Sequence, residues 1–260
     1  MFRVISLNAN GIRAAARKGF FDWLAAQDAD VVCIQETKAQ EHQLTDDVFR
    51  PAGYHTYYED AEKKGYSGVA IYTRHEPKKV LRGYGDAEFD SEGRYLEVQL
   101  GGINVVSVYL PSGSSGDVRQ EAKYRCLDSF TEHLHSIRRR RSETIICGDW
   151  NIAHKNEDIR NWKSNQKNSG FLPEERAWLD KVFGEYRFVD AFRTLPQEEH
   201  SYTWWSNRGR AWDKNVGWRI DYHVVTRGLG DKVQRTEIYK DARFSDHAPL
   251  IMDYDWVHER

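Results

Sequence analysis

The chain has 260 residues, with 38 Lys and Arg against 40 Asp and Glu and a formal net charge of −2. An apolar fraction of 40% beside 30% charged residues excludes a disordered chain and is enough for a large core. Balanced charge gives no bulk attraction to nucleic acid, so any such binding must come from a local patch.

The first apolar run, 2–7, reads as a strand that stops at the polar turn Asn8-Ala9-Asn10-Gly11. Residues 19–27 have helical spacing in Phe20, Trp23 and Leu24, and 31–35 reads as a buried strand that exits at Glu36. Strands follow at 53–58, 68–73, 94–98 and 103–110, the last stopped by Pro111-Ser112-Gly113. A helix over 119–138 carries Tyr124, Leu127, Phe130, Leu134 and Ile137 on one face. The strand 144–147 then leads into Gly148-Asp149-Trp150-Asn151. Pro173 opens a helix over 173–184, with Glu174 and Glu175 placed to complement its dipole. Strands at 220–226 and 250–254 complete the series.

Helix 19–27 followed by Val31-Val32-Cys33-Ile34-Gln35-Glu36 echoes helix 119–138 followed by Ile145-Ile146-Cys147-Gly148-Asp149. Each unit delivers an acid at the exit of a Cys-containing strand. Two similar halves packed face to face would bring those exits together, and with no linker in the sequence one domain over 1–260 is expected. Cys33, Cys126 and Cys147 are read as buried, reduced thiols. The run Arg138-Arg139-Arg140-Arg141 is read as a solvated helix end. The chain shows no secretory pattern and no run of membrane-spanning length, so a cytoplasmic location without membrane contact is expected.

Strand ends are where a rigid scaffold presents reactive side chains. Glu36 and Asp246, with Asn8 beside them and Asp149 and Asn151 near, form an oxygen-rich set suited to Mg²⁺, for which Mn²⁺ can substitute. Histidines and cysteines lack zinc-site spacing. Asp149 and Asn151, two apart on extended chain, face one side. There a carboxylate takes a proton from water while an amide holds water or a phosphate oxygen. A turn-forming Asx pair is the plainer alternative. His247 follows Asp246 directly, so the two diverge, and Asp221 is the candidate carboxylate to orient and charge the imidazole. Tyr109 ends another strand, where its phenol can bind a phosphate or simply pack. Trp204, Trp205, Trp212 and Trp218 are interleaved with Arg208, Arg210 and Lys214, a mixture suited to sugar stacking and phosphate contact. Of these, Trp205 is assigned to core packing.

In order along the chain stand Ser6-Leu7-Asn8-Ala9-Asn10-Gly11-Ile12-Arg13, Gln35-Glu36-Thr37-Lys38, Tyr66-Ser67-Gly68-Val69-Ala70, Gly148-Asp149-Trp150-Asn151-Ile152-Ala153-His154, Gly217-Trp218-Arg219-Ile220-Asp221-Tyr222 and Ser245-Asp246-His247. Together they resemble the exonuclease III family of abasic-site endonucleases, in the endonuclease/exonuclease/phosphatase superfamily. The resemblance implies a four-layer α/β sandwich of the DNase I type, with two packed mixed sheets flanked by helices. It further implies Mg²⁺ held by Glu36 with Asn8 and Asp246, and Asp149 as the base that aligns water with help from Asn151. Tyr109 and the Asp221–His247 pair would contact the scissile phosphate, and Trp204, Trp218 and Ile220 would wall the pocket for an extruded abasic sugar. Phosphate contacts are expected from Lys38, Arg13, Lys163 and Arg208. The partner would be duplex DNA containing abasic sites, bound by a monomer.

Two departures stand out. Ser112 occupies a position where many members carry Asn, and 204–212 lacks a bulky apolar wedge, for which Arg208 or Trp212 could substitute. Competing readings are another phosphodiesterase of the superfamily and a catalytically silent RNA-binding regulator on the same scaffold. The first would need a basic headgroup pocket or membrane-facing hairpins, and the second would be expected to lose the acidic set.

Overall fold

The computed structural model describes residues 1–257. Its strands are β1 (Phe2–Asn8), β2 (Val31–Gln35), β3 (His55–Glu59), β4 (Val69–Thr73), β5 (Lys79–Arg82), β6 (Tyr95–Gln99), β7 (Ile103–Tyr109), β8 (Glu143–Asp149), β9 (Val189–Asp190), β10 (Trp204–Trp205), β11 (Gly217–Trp218), β12 (Asp221–Val225), β13 (Val233–Ile238) and β14 (Leu250–Tyr254). They build two six-stranded sheets, ordered β13-β14-β1-β2-β4-β3 and β5-β6-β7-β8-β12-β9, and a two-stranded ribbon β10-β11.

The two sheets repeat one pairing scheme. From the first-named edge, each runs antiparallel, antiparallel, parallel, antiparallel, antiparallel, and the parallel pairs are β1–β2 and β7–β8. The echo around Cys33 and Cys147 is therefore an architectural repeat, with β2 and β8 in equivalent places.

Period-two alternation sorts the side chains of each strand between two cores. On β1, Phe2 and Val4 join Val31, Cys33, Val105, Ile145 and Cys147 between the sheets. Ile5 and Leu7 point the other way, onto Ile12, Ala15, Phe20 and Leu24 of the short helices Ile12–Arg17 and Phe20–Ala25. On the far side, Val106, Val108 and Ile146 pack against Cys126, Phe130 and Leu134 of helix Asp117–Arg138 and Leu179 of helix Pro173–Phe183. Helix, sheet, sheet and helix form the four layers. Each fully buried Val, Ile or Leu contributes about 1.5–3 kcal/mol, and this packing fixes the strand ends that carry the site.

The sequence did not announce β5, β9, β13, the ribbon or helix Ile12–Arg17. The strands β5 and β13 are edge strands with charged, exposed positions, which protects a sheet edge but hides the apolar alternation. Helix Ile12–Arg17 starts after Gly11 with no side-chain cap, so it lacks a start signal. The arginine run divides: Arg138 and Arg139 are exposed, whereas Arg140 reaches the buried Glu97 at 2.6 Å. No described helix is long and apolar enough to cross a membrane.

Candidate active site

Asn8 has the same parity as Phe2 and Val4, so its side chain faces the opposite sheet. Asp149 shares parity with Ile145 and Cys147 and faces back. The two meet: Asn8 Nδ2 lies 2.9 Å from Asp149 Oδ2 and 2.9 Å from Glu36 Oε2. The Asn8 side-chain oxygen Oδ1 accepts the Asn10 N–H at 2.9 Å, which fixes the orientation of the amide. Asn8 thus sits in the expected cluster as a donor that bridges two acids, and not with its oxygen presented as a metal ligand.

Glu36 and Asn151 both lie just past a buried strand, and both adopt left-handed backbone, with φ of 56° and 52°. Such conformations are unusual for these residues and are held by their surroundings. At Asn151 the side-chain Nδ2 donates to Leu110 O at 2.8 Å, and the backbone N–H donates to Asp149 Oδ1 at 2.9 Å. Asp149 is almost fully buried. Burial, then the neighbouring Asp221, push its pKa from 3.8 up to about 7, against the lowering effects of His247, Asn8 and the Asn151 N–H.

Asp221 opens β12 directly opposite Asp149 in the sheet register. Its Oδ2 lies 2.8 Å from His247 Nδ1, and His247 Nε2 lies 3.8 Å from Asp149 Oδ2. Burial alone would lower the imidazole pKa. Asp221 overrides it, with Asp149 and Asp246 adding, and the value rises from 6.5 to about 10. His247 is an imidazolium at neutral pH. Asp149, Asp221 and His247 bring ligand-type atoms all within 4.8 Å of one another, forming a buried acidic and imidazole cluster.

Asp246 accepts from Trp204 Nε1 at 3.1 Å and from Asn10 Nδ2 at 3.0 Å. Burial opposes its charge, but His247, Trp204 and Asn10 hold its pKa below 3.8. Lys38 Nζ lies 2.9 Å from Glu36 Oε1 and 2.5 Å from Asn10 Oδ1. The lysine expected at a DNA phosphate is therefore folded back onto the acids. Among the described residues the metal-competent spacing, with donor atoms within 4.8 Å, is met by Asp149, Asp221 and His247; Glu36 and Asp246 stand with Asp149 and His247 along the same cleft.

These groups line a cleft of about 960 Å³ that also contains Tyr109, Asn151, Trp204, Trp218, Ile220 and Arg208. Trp204 and Trp218 pair across the ribbon, with ring centroids 6.0 Å apart and planes at 83°, while Trp205 is fully buried. Trp212 packs edge-on to Trp205 at 4.4 Å under Arg243, so it is engaged in a side cluster and is not free to act as a wedge. Arg208 is exposed on the cleft rim. Arg13 and Lys163 are exposed but absent from its lining; Arg13 reaches Lys38 O at 3.4 Å and Lys163 sits over Trp162. Ser112 and Ser114 share a 2.9 Å hydroxyl contact on the rim of the cleft.

Several contributors had no signal in the sequence. Arg94, 3% exposed, stacks over Tyr109 at 4.7 Å and bonds Tyr109 O at 3.0 Å and Tyr66 Oη at 2.9 Å, which orients the phenol. Burial and then Glu36 push the Tyr109 pKa well above 10, so the phenol stays a donor. Lys167 is a further cation on the rim. Arg219, between the wall residues Trp218 and Ile220, is buried and paired with Asp158 at 2.8 Å and Asp190 at 2.6 Å. Its place between Trp218 and Ile220 is plain in the sequence, but those partners are not.

A strand-end acidic cluster between two packed mixed sheets defines the class. Residues 5–247 match the Endonuclease/Exonuclease/phosphatase family, to which the chain belongs. Within it the chain falls in the exonuclease III group of nucleases. It is 39% identical over 250 residues to an exodeoxyribonuclease of Bacillus subtilis, covering 95% of this chain and 97% of that protein. It is 37% identical over 253 residues to DNA repair nuclease APEX1 of Danio rerio, covering 96% and 81% respectively. Among solved structures, an AP endonuclease from Archaeoglobus fulgidus superposes with a TM-score of 0.90 at 27% identity, over 98% of this chain and 100% of that one. The chain is a nuclease, a hydrolase of phosphodiester bonds.

Proposed function

We propose that this nuclease is a Mg²⁺-dependent repair enzyme that cuts duplex DNA on the 5′ side of abasic sites and leaves a 3′-hydroxyl. It would also trim and clean 3′ ends, and would serve base excision repair as a cytoplasmic monomer of one domain over 1–260. The observation that supports this reading best is the junction of two half-sites. The Asp149, Asn151, Asp221 and His247 cluster opens into a cleft walled by Trp204, Trp218 and Ile220.

Glu36, Asp246 and Asp149 would hold the cation, which supplies charge neutralisation at the phosphate. The residues do the rest. The carboxylate of Asp149, beside the Asn151 side chain, takes a proton from the attacking water. Asn151 has its amide nitrogen tied to Leu110 O, which leaves its side-chain oxygen to orient that water. The His247 imidazolium, locked by Asp221, binds a phosphoryl oxygen and stabilises the charge that grows there. Tyr109 donates a second hydrogen bond. The aromatic wall admits a baseless sugar and excludes an intact nucleotide, and an abasic site is cheap to extrude because it has no base to unstack.

The deciding experiment is nicking of a duplex with a single abasic site, in Mg²⁺ and in EDTA, beside an undamaged duplex. Incision 5′ to the lesion only with Mg²⁺ is expected. Equal cutting of both duplexes would remove the substrate assignment.

A further inference from the structure

Beneath the Asn151 turn lies an ion pair that the reaction scheme does not use. Lys123, on helix Asp117–Arg138, and Glu175, on helix Pro173–Phe183, have side chains with 0% exposure, and Lys123 Nζ lies 2.6 Å from Glu175 Oε1. Lys123 Nζ also donates to Asn151 O at 2.8 Å. Glu175 Oε2 accepts the Gly170 N–H at 2.6 Å and the Leu172 N–H at 3.1 Å, and Gln120 Nε2 reaches Oε1 at 3.1 Å.

Gly170 is the other end of the relation. It has φ of 93°, and a Cβ there would lie 3.1 Å from the Trp218 ring and 3.2 Å from Asn151 O. The Gly170 carbonyl accepts the Ala153 N–H at 2.8 Å. The pair thus grips the turn that carries Asn151 with its cation and the segment under Trp218 with its anion. A fully buried ion pair is poor value for stability alone, because desolvation offsets most of the attraction and an apolar pair of the same volume would serve. Its hydrogen bonds go to the turn that carries Asn151 and to the segment that lies against Trp218.

We propose that Lys123 and Glu175 are positioning residues that hold the Asn151 turn at a fixed distance from the Trp218 wall. The water-handling end and the sugar-receiving end of the cleft are then set by one clamp. This rests on the reading of Asp149 and Asn151 as the groups that handle water.

The test compares wild type with the double variant Lys123→Met/Glu175→Gln, which buries no bare charge, and with Lys123→Arg, which keeps a cationic donor. Turnover and KM are measured on an abasic duplex and on an undamaged duplex with a recessed 3′ end, together with thermal melting. The double variant should melt cooperatively, keep KM within about threefold and lose turnover about 30-fold on both substrates, the scale of a sub-ångström misplacement. Lys123→Arg should stay closer to wild type than the double variant, since a cationic donor to Asn151 O is retained. Unchanged turnover in the double variant, or a raised KM with turnover kept, overturns the proposal. If the double variant melts below the assay temperature, Glu175→Asp takes its place, which keeps both charges and shortens the reach to the Gly170 and Leu172 N–H groups. It must then lose turnover at constant KM while Lys123→Arg keeps it, and the opposite order overturns the clamp. A wild type that trims ends but ignores abasic DNA refutes the substrate assignment, and the clamp is then judged on end trimming.

Discussion

Asn8 Nδ2 lies 2.9 Å from Asp149 Oδ2, although 141 residues separate them and they belong to different sheets. The bond joins the two half-sites and lowers the pKa of a carboxyl that burial has raised. Asn8→Ala removes that lowering, so the acid limb of the pH–rate profile should move to higher pH. Turnover at pH 7 should fall about 10–100-fold, at most the lower end of what a whole general base contributes, and partly recover as the pH is raised. A uniform loss at every pH would show that Asn8 acts on something other than Asp149.

The Asp221–His247 pair makes the imidazole a cation across the neutral range. Its pKa is raised from 6.5 to about 10, so the stability it contributes is complete below pH 6.5 and is lost as the pH climbs through 10. Asp221→Asn keeps the shape and removes the charge. Wild type should hold its activity until the pH approaches 10, whereas the variant should decline from a lower pH. Turnover should drop by about 100-fold or more with DNA affinity changed far less, because the pair matters most as charge develops. A variant that loses affinity and keeps turnover contradicts the assigned role.

Much of this site was legible because the chemistry sits where apolar runs stop. Val31–Gln35 and the run into Asp149 are bounded by acids, and period two predicts that Asn8 and Asp149 face one space. The direction of the Asn8 amide was not legible, because it depends on the Asn10 N–H, a contact made only in the folded turn. Lys38 looked like a free phosphate contact, yet the left-handed backbone at Glu36 and Lys38 turns its ammonium onto the acid two residues before it. Glu175 was read as a helix-dipole residue, which its place in the first turn supports. Its burial against Lys123 depends on how two distant helices meet, and composition argues against burying either charge. The missing edge strands have a simpler cause, since their exposed charges mask the alternation.

Glu36 is the acid whose loss should report most directly on the cation. Glu36→Ala removes one carboxylate from the donor set and releases Lys38 Nζ. Chelation with EDTA should abolish cleavage by wild type, and Mg²⁺ or Mn²⁺ should restore it. In Glu36→Ala the Mg²⁺ concentration for half-maximal rate should rise by about 10–100-fold or more, since even groups that only support a metal ligand act on that scale. Calorimetric titration with Mg²⁺ in the absence of DNA gives the same comparison without catalysis. Full activity in EDTA would eliminate the metal assignment.

Trp204 is coupled to the chemistry as well as to the pocket wall, since its indole N–H bonds Asp246 Oδ2 at 3.1 Å while its ring meets Trp218 edge-on. Trp218 has no such link to an acid among the described residues, so the two tryptophans separate the functions. Trp218→Ala opens the wall and should raise end trimming of intact nucleotides relative to abasic incision by about tenfold, as a relaxed steric barrier of 1–2 kcal/mol allows. Trp204→Ala should change that ratio in the same direction while lowering both rates, because the carboxylate of Asp246 loses a donor that holds it. Binding itself should remain phosphate-dominated in both variants, with affinity falling steeply in salt and varying little with flanking sequence. The measurement is the ratio of abasic nicking to 3′-end trimming on matched duplexes, for wild type and each variant, at two salt concentrations. If the ratio stays constant while both activities fall in step, the tryptophans support the fold alone and lesion choice must lie elsewhere in the cleft.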